Sequence, residues 1–267
     1  MRRHIQPLDL LAAALVVLGA ATAAAVAVSV DDDDTQPVEV VAEAFQLAGE
    51  GDATAIRPIP PIHGFRAAES LVPMLEAFPA PAPAPGTAPS ATLPNPTRDN
   101  RLLVVGILDT DPTGQWLYAQ LPQRPNGSTG WIRASDVRAF ETPNRIEVNV
   151  TTNQLRVFRG DSDEVLFEAL VATGAPTTPT PLGDYFIDIW NPLGNHPTYG
   201  WGQLSVSGFS EVLYSFGGGI GQIAIHGWNN DSVMGRNVSN GCVRMRNVDI
   251  ARVAELTGLG APVKIVA

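Results

Sequence analysis

The chain has 267 residues, with 17 Lys and Arg against 27 Asp and Glu, a formal net charge of −10 at pH 7. That balance excludes a general nucleic-acid backbone binder, which needs a basic face. Hydrophobic residues make up 45%, ample for the cores of one or two domains, and the single cysteine excludes an intramolecular disulfide.

At the N-terminus, Arg2 and Arg3 precede an apolar run over residues 8–30, interrupted near its start by Asp9. Roughly 20 apolar residues cross the hydrocarbon core of a bilayer. The basic end before the run and Asp31, Asp32, Asp33 and Asp34 after it orient the segment with its short basic end inside. Residues 1–34 therefore read as a membrane anchor or a secretion signal. Ala23, Ala25 and Ala27 keep a cleaved signal peptide open, while a run longer than the usual ~7–15 residues favours a transmembrane helix. Either way the remainder works outside the cytoplasm, in the cell envelope. An unpaired cysteine in an exported chain marks a reactive thiol.

Residues 35–97 read as a Pro/Ala-rich spacer. Val38, Val41, Ala42 and Phe45 have helix-compatible spacing over a short stretch. The prolines at 58, 60 and 61, and the alternating Pro-Ala run over residues 79–85, continue neither a helix nor a sheet interior. Such a run favours an extended spacer, about 3 Å per residue.

Over residues 98–141 the texture changes to short strands with tight turns. Residues 102–108 and 116–121 are strand-like, Pro112 and Gly114 supply a turn, and Asn126-Gly127 marks a hairpin leading to Trp131. About 40 residues of this kind imply a small β module, with Trp116 and Trp131 as core fillers.

Residues 145–267 form the second domain. Ile146, Val148 and Val150 alternate with polar residues, as do Leu155 and Val157, so the two runs make a hairpin. A third strand covers 165–172. A rigid loop with Pro179 and Pro181 leads into a strand over 186–190. Residues 191–199 read as a long connection and a candidate lid, with His196 as a loop residue. The glycines at 217, 218, 219 and 221 precede a strand and lack a Walker lysine, so they feed a turn rather than a nucleotide. Asn247 is placed to cap a helix with Ile250, Val253, Ala254 and Leu256 on its apolar face, stopped by Gly258. Residues 263–266 return as a final strand.

The chemistry concentrates over residues 225–244. Cys242 is the only cysteine, and His226 lies sixteen positions upstream at the end of an apolar run. A thiol is a nucleophile as thiolate, and an imidazole can take its proton. Gly241 permits a tight turn that could aim backbone N–H groups at one oxygen. The plainer alternative is a small buried thiol and a satisfied core histidine. One Cys and one His supply too few ligands for a structural zinc, so neither metal nor cofactor is expected.

The segment resembles the signature of the L,D-transpeptidase catalytic domain (the YkuD family): a histidine, a gap, then Ser-X-Gly-Cys-X-Arg. Matching residues are His226, Gly227, Ser239, Gly241, Cys242 and Arg244, with Asn229 and Asn230 after the histidine. Two positions depart from the pattern. Asn240 stands where many members carry His or Lys, and Trp228 where a smaller residue is common. The loop of form Thr-Pro-X-Gly-X-Tyr before the strand at 186 extends the resemblance across most of the second domain. The module at 98–141 resembles bacterial SH3-like domains.

The resemblance implies a mainly β protein: an anchor helix, a small SH3-like β-barrel, and an L,D-transpeptidase-type β-sandwich with a short helix. It further implies a cysteine enzyme acting on peptidoglycan stem peptides, with Cys242 as nucleophile and His226 as base, the imidazole lowering the thiol's pKa. Gly241, Asn240, Ser239 and Gly227 would give oxyanion or backbone support, and Trp228 and Asn229 would contact substrate or brace the loop. Arg244 has two readings: a fork for a substrate carboxylate, or a buried ion pair bracing the loop. An L,D-carboxypeptidase and a non-catalytic wall-binding scaffold stay open as alternatives.

Overall fold

A computed structural model describes residues 65–267. The expected anchor at 1–34, the helix-compatible stretch near 38–47 and the prolines at 58–61 lie outside the described residues. No helix among the described residues is long and apolar enough to cross a membrane.

Seven strands build the first module: β1 (Phe65–Ser70), β2 (Met74–Ala77), β3 (Ala91–Pro94), β4 (Val104–Thr110), β5 (Trp116–Gln120), β6 (Thr129–Arg133) and β7 (Val137–Thr142). Five form an antiparallel sheet in the order β6-β5-β4-β1-β7, and β2 with β3 forms a separate ribbon. The ribbon joins β6 through a bridge between Phe78 and Trp131. Leu75, Leu93, Val105, Leu117 and Ile132 fill the space between ribbon and sheet.

The module thus begins near residue 65, inside the stretch read from sequence as spacer. The Pro-Ala run at 79–85 is the connection between β2 and β3. Proline is excluded from strand interiors, not from hairpin loops, so the run tells nothing about the strands beside it. Those strands have four residues each, too short for a periodic signal.

The second region contains β8 (Asn144–Asn149), β9 (Gln154–Arg159), β10 (Val165–Leu170), β11 (Thr173–Gly174), β12 (Gly183–His196), β13 (Gly200–Phe209), β14 (Gln222–Trp228), β15 (Asn237–Ser239), β16 (Val243–Arg246), α1 (Asn247–Leu256) and β17 (Pro262–Val266). Eight of these strands make one sheet, β10-β9-β8-β17-β12-β13-β14-β16. Its two ends share one core: Val148, Val157 and Ala169 pack in the same cluster as Ile223, Ile225, Val243 and Met245. The sheet therefore coils over itself, and Ile250 and Val253 of α1 complete the cluster.

Two local expectations change. Residues 191–199 are not an irregular connection, because β12 and β13 pair as far as His196 and Gly200, and the segment is the tip of a long hairpin. Proline, glycine and asparagine there obscured the strand pattern. Asn247 does not cap α1. Arg246 holds the cap position without a side-chain bond, while Asn247 Oδ1 accepts the N–H of Trp201 at 3.0 Å.

The first module packs against the face of β12 opposite the core. Tyr185 and Ile187 point into the core, so alternation sends Phe186 and Asp188 the other way. Phe186 meets Ala67 and Val104 there. Gly106 of β4 is needed for the approach: a Cβ would lie 3.0 Å from the Phe186 ring. Arg101 adds a hydrogen bond to Asn191 Oδ1 at 2.6 Å.

Candidate active site

The same alternation builds the site on neighbouring strands. Leu204 and Val206 of β13, Ile225 of β14, and Val243 and Met245 of β16 face the core. Their neighbours Gln203, Ser205, Ala224, His226, Trp228, Cys242 and Arg244 face the opposite side, the side on which the first module sits. Strands β14 and β16 run parallel, pairing Ile225 with Val243 and His226 with Arg244. Cys242 immediately precedes β16 and falls opposite Ala224 in that register. It stands one diagonal step from His226 on the same sheet face.

These residues line a cavity of about 480 Å³ together with Tyr199, Asn240, and Arg98 and Asp99 of the first module. Cys242 keeps a partly exposed surface, whereas His226 is 3% exposed. The ring Nδ1 of His226 lies 2.7 Å from the carbonyl oxygen of Gly227. A carbonyl only accepts, so Nδ1 carries the hydrogen in the neutral ring and Nε2 holds the lone pair. Tyr199 meets the imidazole edge-on at 5.1 Å between centroids and Trp228 does so at 5.9 Å. Tyr199 in turn stacks on His196, whose Nδ1 accepts the N–H groups of Thr198 and Tyr199.

Burial sets the protonation states. It depresses His226 to about 4; the Gly227 hydrogen bond opposes this and the Arg244 charge adds to it. Burial also pushes the Cys242 thiol up, against the main chain of Ala224 and the charge of Arg244. At neutral pH the resting pair is a neutral thiol beside a neutral imidazole with a free acceptor nitrogen. The expected lowering of the thiol by its imidazole is not met in the resting site: burial raises the thiol, and the groups that oppose it are the Ala224 main chain and Arg244, not His226.

The turn before Cys242 is fixed by hydrogen bonds. Ser239 Oγ donates to the Cys242 carbonyl at 2.5 Å and accepts the N–H of Gly241 at 3.1 Å. Ser239's own carbonyl accepts from Thr178 Oγ1 and from the N–H of Ala175. Gly241 sits at φ +113°, a conformation that side chains rarely adopt. Gly227 is required for space, since a Cβ would strike Asn247 Oδ1. Asn229 Oδ1 accepts from Asn247 Nδ2 at 2.8 Å, tying the end of β14 to α1. Asn240 is exposed at the cavity rim.

Arg244 forms no ion pair among the described residues. Its guanidinium lies 3.9 Å above the Trp228 ring, and its buried Nε has no hydrogen-bond partner. The buried ion pair read from sequence is thus replaced by stacking, for which a large residue at 228 is needed.

Sequence reasoning missed Tyr199, Gln203 and Ser205, as well as Arg98 and Asp99. The alternation of Gln203, Ser205 and Ser207 with Leu204 and Val206 is a strand signal that would have found the β13 pair. Asp188 was also unmarked. It is buried, accepts from Gln222 Nε2 at 2.6 Å, and leaves Oδ1 without a partner. Burial raises its carboxyl to about 7, with the Gln222 hydrogen bond opposing.

A thiol, an imidazole with a free acceptor nitrogen, and a glycine turn lie together in one cleft. Comparison with known proteins identifies the family. The family model of the L,D-transpeptidase catalytic domain (YkuD) matches residues 143–265. A Bacillus subtilis protein named "Putative L,D-transpeptidase YqjB" is 30% identical over 125 residues, 44% of this chain and 68% of that protein. A Bacillus licheniformis protein named "Putative L,D-transpeptidase YkuD" is 32% identical over 123 residues, 46% of this chain and 66% of that protein. The match spans about two thirds of the length of these relatives. The solved structure of an L,D-transpeptidase from Mycobacterium smegmatis covers 61% of this chain and 82% of its own, at 17% identity and a TM-score of 0.41. The chain belongs to the YkuD family and carries its L,D-transpeptidase catalytic domain at residues 143–265.

Proposed function

We propose that the protein is a cysteine-dependent peptidoglycan L,D-transpeptidase that joins third residues of stem peptides through a thioester acyl-enzyme. The observation that carries this reading is the placement in one cleft of His226 on β14 and of Cys242 immediately before the parallel strand β16, with the imidazole neutral and Nε2 unprotonated.

His226 Nε2 takes the Cys242 proton as Sγ attacks the carbonyl carbon between the third stem residue and the terminal D-alanine. Backbone N–H groups near Gly241 and Cys242 stabilise the oxyanion; losing one such donor typically costs about 3–4 kcal/mol. The imidazolium returns the proton to the departing D-alanine amine, leaving a thioester. The amine of a neighbouring stem's third residue then attacks, His226 takes its proton, and Cys242 leaves with that proton restored. A base of pKa about 4 is weak, so the proton moves with the attack rather than before it. Arg244, held over Trp228 with its Nε unpaired, is suited to a substrate carboxylate.

The SH3-like resemblance of the first module and the apolar N-terminal run support an envelope protein, with residues 1–34 as its membrane anchor. Water as acceptor would make the same acyl-enzyme an L,D-carboxypeptidase.

The test is to incubate the protein with purified disaccharide-tetrapeptide and follow products by mass spectrometry, with Cys242→Ala alongside. A dimer lighter than two monomers by one D-alanine, absent from the variant, is the expected result. Tripeptide monomer alone would identify the carboxypeptidase. Unchanged substrate would leave a wall-binding scaffold.

A further inference from the structure

We infer that Arg124, carried by the first β module, is a positioning residue of the cleft: it holds the wall formed by residues 210–221 in the shape an acyl donor meets. The inference rests on reading the cleft as an acyl-transfer site.

The segment 210–221 joins β13 to β14, the strand that carries His226. Leu213, Phe216 and the glycines at 217, 218, 219 and 221 line the cavity with Cys242. Little of the segment is held by burial. Val212, Tyr214, Phe216 and Ile220 are all exposed. Its internal bonds are few: Ser210 with Gly221 across the base, Ser210 Oγ with the Val212 and Leu213 amides, and Phe216 with Gly219 at the tip. Glycine-rich chain with exposed side chains and few bonds has no shape of its own.

The first module supplies what is missing. Arg124 Nη1 donates to the carbonyl of Ser210 at 2.7 Å, and Nη2 donates to those of Leu213 and Ile220, each at 3.3 Å. One guanidinium therefore cross-braces the outgoing and returning limbs. It also lies 5.1 Å from the Phe209 ring centroid and 4.6 Å from that of Tyr214. Two residues on, Asn126 pairs with the Phe209 main chain through both its amide groups at 2.8 Å. At the tip, Arg98 Nη2 donates to the Gly218 carbonyl at 2.7 Å. Gly221 fits this clamp because a Cβ would strike the Leu213 carbonyl and come within 2.9 Å of Arg124 Nη2.

Arg124 does not itself line the cavity, so its effect passes through the wall. A planar fork reaches three carbonyls and two rings at once, which a lysine ammonium cannot do. The module is thus part of the catalytic unit.

The test compares the full chain with Arg124→Ala, Arg124→Lys and Asn126→Ala. Three quantities are read: hydrogen exchange of the amides at 210–221, the concentration dependence of Cys242 acylation by disaccharide-tetrapeptide, and alkylation of Cys242 by iodoacetamide. In Arg124→Ala, exchange accelerates at 210–221 and not in β8–β9. Acylation kcat/KM falls about tenfold or more, mostly through KM, as misplacement of a binding wall requires. Alkylation changes less than about twofold, since a small reagent needs no wall, and Arg124→Lys recovers only part of the loss. Unchanged exchange and unchanged KM in folded Arg124→Ala would overturn the inference. Should Arg124→Ala not fold, Asn126→Ala carries the same pattern to a smaller degree, and its absence there is equally decisive. If wild type is never acylated, the acyl-transfer reading fails, while the exchange data still decide whether Arg124 holds the wall.

Discussion

In the first module, residues 65–142, apolar side chains fill the interior and charges meet at the surface. Arg133 pairs with Glu76 and Arg138 with Glu69, all near solvent, and among the described residues only Ser70, Asp111 and Thr142 are buried polar groups there. In the second region Asp188, Ser205, Ser207 and His226 are buried on one face of the sheet, and the Asp188 carboxyl and His226 imidazole are strongly displaced there. Both regions are twisted β structure with apolar cores. They differ in where the cost of burying polar groups is accepted. The second region accepts it on the face that floors the cleft, where Cys242 and His226 lie. The first contributes charged side chains from its surface: Arg98 lines the cleft, and Arg124 bonds carbonyls of the segment 210–221 that walls it.

Four substitutions test this contrast. Cys242→Ala should abolish acyl transfer, by a factor of about a thousand or more, with the melting temperature little changed; product analysis and calorimetry check both. An active variant would make the cleft incidental.

Asp188→Asn acts next. The folded carboxyl is raised to about 7, so its stabilising contribution is present below its unfolded pKa of about 3.9 and is lost as pH rises through 7. His226 has the opposite sign: with its folded pKa lowered to about 4, its contribution is present above about 6.5 and is lost as pH falls through 4. The two oppose each other between these limits and flatten the wild-type curve. Asp188→Asn should match wild type near pH 4 and exceed its stability near pH 8, by on the order of 4 kcal/mol at most. It should also uncover a rise in stability with pH between about 4 and 6.5. Denaturant titrations across pH test this, and parallel curves for the two proteins would contradict it.

Leu75→Ala creates a cavity in the first module and should cost about 3 kcal/mol in urea unfolding. Below its melting temperature the pH profile of acylation should stay that of wild type. Arg138→Ala removes an exposed pair with Glu69 and should cost less than about 1 kcal/mol by the same assay.

How much of this was legible in the sequence depended on distance along the chain. Cys242, Gly241, Ser239 and His226 lie within one segment, and the turn that joins them is built from its own residues, so their pattern survives in one dimension. The β8–β9 hairpin, α1 and β17 were legible for the same reason, through local periodicity. Gln203 and Ser205 reach the cleft by pairing across β13 and β14, which their alternation with Leu204 and Val206 hints at, whereas Arg98 reaches it by docking of another module, which leaves no mark on neighbouring residues. Prolines misled twice in opposite ways. The run at 79–85 hid the strands on either side of it, and Pro192 and Pro197 made the tip of the β12–β13 hairpin look like open loop. The stacking of Arg244 on Trp228 was out of reach because residues sixteen apart meet only through a parallel strand register.

The central claim is that Cys242 is an acyl-accepting nucleophile served by His226. Intact-protein mass spectrometry of the full chain mixed with disaccharide-tetrapeptide tests it most directly. The expected result is a covalent adduct on Cys242 with the mass of the donor less D-alanine, absent from Cys242→Ala and strongly reduced in His226→Gln. An unmodified protein whose Cys242 still alkylates with iodoacetamide would contradict it.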